Sequence, residues 1–182
     1  MFFLRKSKLE RLPIVMSGVR TGERVLQIGV DDASLVGAIA AKVGLSGHAA
    51  IVVATERAAA AARAAAAASG ALTDVHVAPL EALPLADGSF DVVVLHAGGV
   101  GAALDGAAGA ALLGHAHRVL RPGGRLIVID TARQGLLGRF GSAPAADSGG
   151  TLSALHAAGF RPARLLAERE GHRFIEGLKP QS

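Results

Sequence analysis

From residue 24 onward, short aliphatic runs alternate with alanine- and leucine-rich stretches, a pattern that predicts strands alternating with helices. The runs at 24–29, 49–54, 74–78, 90–95 and 125–130 read as strands. Those at 90–95 and 125–130 are apolar through their centres, as expected of strands buried on both faces of a parallel sheet. Residues 34–43, 57–69 and 107–120 read as helices, and 80–83 as a single helical turn. The stretch 57–69 is an alanine run interrupted by Arg63; alanine has the best helix propensity, and Ser69-Gly70 ends the run. Arg121-Pro122-Gly123-Gly124 stops the helix before it, because proline cannot continue a helix and glycine supplies a left-handed cap. A last helix at 151–159 precedes two strands, 162–168 and 172–178, that read as an antiparallel hairpin turned at Glu170-Gly171. The expected fold is therefore α/β, Rossmann-like and doubly wound: a seven-stranded, mostly parallel sheet ending in an antiparallel hairpin. Residues 131–150, rich in Gly, Ala and Ser, are long for a connection and are expected to form a mobile lid over the carboxyl edge of the sheet.

Composition narrows the function classes. The 182 residues are 51% hydrophobic and 19% charged, enough to bury one core, with residues 1–19 expected as a basic N-terminal arm on a domain spanning 20–182. With 3% aromatics and neither Trp nor Tyr, stacking platforms for bases are nearly absent. The net charge of +4 is spread among acids, so no nucleic-acid partner is expected. No Cys is present, which excludes disulfides, thiolate metal sites and a Cys nucleophile. No apolar run approaches a membrane span and the N-terminal charge pattern is the reverse of a signal peptide, so the expected location is cytoplasmic.

The segment LPLADGSFDVVVL, followed by a helical run ending HRVLRPGGRLIVID, closely resembles the second half of a class I S-adenosylmethionine (SAM)-dependent methyltransferase of the small-molecule, type 11 kind. The resemblance covers about residues 20–179 and implies SAM as cofactor and a small-molecule substrate. It also implies a site at the carboxyl ends of the strands: a carboxylate and glycine-rich turn after the first strand, an acid for the ribose after the second, and a third acid near the adenine. Here that site is degenerate. Where the family reads V-L-D-x-G-x-G-x-G, residues 25–33 read VLQIGVDDA, so Gln27 stands at the acid, Gly29 keeps the first glycine, and Asp31 and Ala33 replace the others. Val53 falls at the ribose acid with Glu56 three residues on, and Pro79 falls at the third acid, just before Leu80.

Gln27, Gly29, Asp31, Glu56 and Leu80 are accordingly the candidate cofactor contacts. Gln27 retains a neutral acceptor, and Asp31 and Asp32 either compensate for lost charge or simply cap the following helix. Methyl transfer needs alignment and, for a protic acceptor, removal of a proton. His96, directly after the fourth strand, and Asp130, ending the fifth, are the candidate catalytic groups; each is also explained as a strand-end residue. His115 and His117 have no recognisable metal partner. A faint likeness of the His96-Ala97-Gly98-Gly99 loop to short-chain dehydrogenases fails, since that chemistry needs a Tyr. Two functions stay open: methylation of a small molecule, or a degenerate methyltransferase fold serving as a binding or regulatory module. If binding has been lost, the cleft between Gly29, Val53 and Pro79 should be filled.

Overall fold

The computed structural model describes residues 11–100, 104–131 and 148–181. In chain order these form α1 (Leu12–Met16), β1 (Arg24–Ile28), α2 (Ala33–Val43), β2 (His48–Val53), α3 (Glu56–Ala68), β3 (Asp74–Val77), β4 (Phe90–His96), α4 (Ala97–Val100), α5 (Ala107–Val119), β5 (Leu120–Thr131), α6 (Ser148–Ala157), β6 (Ala163–Arg169) and β7 (His172–Leu178). The strands make one seven-stranded sheet of order β3-β2-β1-β4-β5-β7-β6. β1 to β5 are mutually parallel and β7 and β6 run antiparallel to their neighbours. Strand order reverses between β1 and β4, which is where an open α/β sheet binds its ligand.

Because the central strands are apolar at successive positions, both faces of the sheet are buried. Leu26, Ile28, Val93, Leu95 and Val128 face α5 and α6, packing with Leu112, Leu113, Leu155 and Phe160. Val25, Val92, Val94, Ile127 and Ile129 face α1 and α2, packing with Ile14, Leu35, Ile39 and Val43. α3 buries Ala59 and Ala62 against Val36, Ile51 and Val53. Its small side chains let it approach α2 closely, and a Cβ built on Gly37 would stand 2.4 Å from the Ala65 carbonyl oxygen.

Three expectations change. The stretch 97–100, expected as loop, is the short helix α4. β5 begins at Leu120, so the Arg-Pro-Gly-Gly turn lies within it, with a register shift between Phe90 and Val92 and Gly123 at φ 74°. Residues 80–83 form a turn closed by a hydrogen bond from Ala82 N–H to Pro79 O (3.0 Å) rather than a helical turn. The hairpin turns at Glu170 and Gly171, both at positive φ (53° and 72°), the pairing a two-residue hairpin turn requires. Of the lid expected over 131–150, Thr131 belongs to β5 and 148–150 to α6, while 132–147, like residues 1–10 of the N-terminal arm, lie outside the described residues. Among the described residues no helix is long and apolar enough to cross a membrane.

Candidate functional site

Register decides which side chains meet at the carboxyl edge. Gln27 pairs with Val94, and His96 with Ile129, so both project toward the α1/α2 face with those neighbours. Both are fully buried. The Gln27 side-chain N–H donates to the Val36 carbonyl (2.8 Å), which leaves its Oε1 as acceptor for His96 Nε2 at 3.0 Å. His96 therefore carries a proton on Nε2, and its Nδ1 faces the Asp31 carboxylate at 3.6 Å.

Asp31 sits in the turn between β1 and α2. It accepts from the Asp32 N–H (2.8 Å) and from the Thr131 hydroxyl (3.2 Å) at the end of β5. Partial burial would raise its pKa, but the neighbouring His96 imidazole, followed by the Asp32 and Thr131 hydrogen bonds, holds it below the usual carboxylate range. Asp32 is the N-cap of α2, accepting from Leu35 N–H and pairing with Arg11 at 2.8 Å. Burial opposes its ionisation, yet Ser34, Arg11 and the Leu35 N–H together bring its pKa down to about 2. The two aspartates thus divide: Asp32 caps, and Asp31 ties the β1–α2 turn to β4 and β5.

Asp130 does not share this face. It pairs in register with Arg173, and its Oδ2 accepts from the Arg173 guanidinium at 2.5 Å, on the opposite side of the sheet from His96. Both groups lie at the carboxyl edge, as expected, but alternation puts them on opposite faces of the sheet. Glu56 occupies the first turn of α3, largely exposed, and pairs with Arg63 at 3.6 Å.

Two features of the edge were missed in the sequence. Beyond β2 and β3 lies a niche of about 110 Å³ lined by Ala54, Pro79, Leu80, Glu81, Val100, Ala108 and Leu112. Its carboxylate is Glu81, whose signal was an acid two residues after Pro79. The second feature is α4, which lies directly on the turn after β1. A Cβ built on Gly99 would stand 2.3 Å from the Val30 nitrogen, and one on Gly98 would stand 2.9 Å from Asp31 Oδ2. Gly29, at φ 78°, is covered in turn: its Cβ would meet the Gly99 carbonyl carbon at 3.0 Å and the His96 oxygen at 3.1 Å. The glycine doublet directly after a strand was the available signal. Larger hollows of about 440 and 370 Å³ follow the α2/α3 groove and the space between α5 and α6.

The model of a methyltransferase domain family, the type 11 methyltransferases, matches residues 26–128. The chain belongs to this methyltransferase family. It is 31% identical over 126 residues to the ubiquinone/menaquinone biosynthesis C-methyltransferase UbiE of Teredinibacter turnerae, a match covering 68% of this chain and 49% of that protein. To the same enzyme of Ectopseudomonas mendocina it is 32% identical over 128 residues, covering 69% and 48%. The chain thus spans about half the length of the curated relatives it matches. Among solved structures, a SAM-dependent methyltransferase from Aquifex aeolicus superimposes with a TM-score of 0.74 at 18% identity, covering 91% of this chain and 86% of that one. The [4+2]-cyclase SpnF superimposes with a TM-score of 0.70 at 16% identity, covering 94% and 81%.

The cofactor of such methyltransferases is SAM, and the described residues fit one end of it. The niche, with apolar walls and the exposed Glu81 at its lining, has the size of a flat ring such as adenine. Among the described residues, the backbone of α4 lies against the glycine turn, where the family resemblance would place the amino acid tail. A volume of 110 Å³ also falls short of the roughly 300 Å³ or more typical of a pocket for a whole ligand. The cleft between Gly29, Val53 and Pro79 was expected to be narrowed or filled by side chains if binding is lost; the backbone of α4 covers its Gly29 end, and the niche remains at its Pro79 end.

Proposed function

We propose that this chain carries out SAM-dependent methylation of a small molecule, with a weakly held cofactor. The observation that carries this reading is the niche beside the strand-order reversal, where Leu80, Leu112 and Val100 form apolar walls and Glu81 supplies an acceptor. When bound, the cofactor supplies an activated methyl group, so the chain's own task is alignment and proton handling. His96 is the proposed proton acceptor. Its Nδ1, turned toward Asp31, is the nitrogen left open by the Gln27 hydrogen bond, and it can meet an acceptor only when α4 stands away from Gly29. Gln27 orients the ring, and Asp31 is placed to stabilise the charge that the ring gains with the proton. Asp130, committed to Arg173 on the other face, is proposed to hold β5 to β7 rather than to touch substrate.

The names of the curated relatives make an intermediate of quinone biosynthesis the first acceptor to test. A second reading, a binding module without transfer, is favoured by one observation: the close seat of Gly99 on Val30. Transfer of labelled methyl from SAM to a panel of small acceptors separates the two. Transfer above the uncatalysed rate, reduced about tenfold or more by Glu81→Ala through loss of a charge-assisted hydrogen bond, is the expected result. Nucleoside binding without transfer to any acceptor would favour the binding module.

A further inference from the structure

We infer that Gly98 and Gly99 make the cleft selective for adenosine-type ligands that lack an amino acid tail. This rests on the reading that the niche at Leu80 and Glu81 takes the adenine. A tail-free nucleoside needs only that niche. A tailed one must also thread between the β1–α2 turn and the end of β4, where α4 now lies with its backbone against Val30. Only glycine permits this seat, since a Cβ at residue 99 would meet the nitrogen, carbonyl carbon and oxygen of Val30 at 2.3, 2.5 and 2.8 Å.

The tail gains little for displacing α4. Gln27, at the position of the acid that would meet an ammonium group, is fully buried and has both ends of its amide engaged. The Asp31 carboxylate is already shared among His96, the Asp32 N–H and Thr131. A ligand that binds only the minor, opened arrangement has its affinity reduced by the fraction of molecules in that arrangement. The tail therefore lowers affinity here, whereas in an open cleft it would raise it.

The test compares 5′-methylthioadenosine with S-adenosylhomocysteine by calorimetry; both carry a neutral sulfur and they differ by the amino acid tail. The wild-type protein should bind the tail-free nucleoside about tenfold or more tightly than the tailed one, as expected if about a tenth or less of the molecules are open. In Gly99→Ala the added methyl meets backbone that cannot yield, so α4 lifts. Binding of S-adenosylhomocysteine should strengthen several-fold and the preference should shrink. Gly98→Ala meets the Asp31 side chain, at 2.9 Å from Oδ2 and 3.2 Å from Cβ, rather than backbone, and should act in the same direction more weakly; with the wild-type ratio it decides the matter should Gly99→Ala not fold. Equal or tighter binding of the tailed ligand by the wild type, or an undiminished preference in folded Gly99→Ala, overturns the inference, as does failure of 5′-methylthioadenosine to bind. Preference for the tail-free ligand with no methyl transfer to any acceptor would instead sustain it and remove the methyltransferase reading.

Discussion

Gln27 shows why restoring one family residue need not restore its function. Its amide donates to Val36 and accepts from His96 inside a fully buried setting, so it is part of the packing between β1, α2 and β4. Gln27→Glu replaces the donor with a second acceptor facing a carbonyl. We expect it to destabilise the protein by about 1–3 kcal/mol without tightening SAM binding, measured by denaturant unfolding and calorimetry. Asp32 gives a pH-dependent counterpart. Its folded pKa, about 2, lies below the unfolded value near 3.9, so its stabilisation is complete above the unfolded value and is lost as pH falls through the folded one. Asp32→Ala should cost about 1 kcal/mol at neutral pH, the usual worth of an N-cap, and that deficit should shrink between pH 4 and pH 2. Unfolding curves of both proteins across that interval provide the measurement.

Among the elements, α2 and α3 depend on absence of side chain as much as on its presence. Gly37→Ala improves helix propensity, yet its methyl would strike the Ala65 carbonyl at 2.4 Å. The clash should dominate, for a net loss of about 1–3 kcal/mol by denaturant unfolding. The β-strands were legible in the sequence because aliphatic runs buried on both faces leave a continuous signal, as at Val92, Val93 and Val94. α4 was not legible. Ala-Gly-Gly-Val has poor helix propensity, and the segment is set by contacts with Gly29, Val30 and Asp31, some seventy residues earlier in the chain. The start of β5 at Leu120 was missed for a related reason: proline and glycine mark the end of the preceding helix, while the pairing of Leu120 with Phe90 is a tertiary contact.

On the scale of the whole molecule, the fold and the site were legible to different degrees. The alternation of strands and helices and the closing hairpin followed from patterning, and the loss of the family's acids could be read position by position. The consequences of that loss could not, because they depend on face and register. Alternation sends Asp130 to Arg173 and His96 to Gln27, on opposite sides of one sheet, and Glu56 points outward while Glu81 lines the niche. We propose on this basis a methyltransferase-family domain in which the niche takes the adenine end of the cofactor and α4 is seated where the tail would run. Calorimetric titration of the wild-type protein with SAM tests this most directly. The account predicts a dissociation constant of roughly 100 μM or weaker, and low-micromolar binding would contradict it.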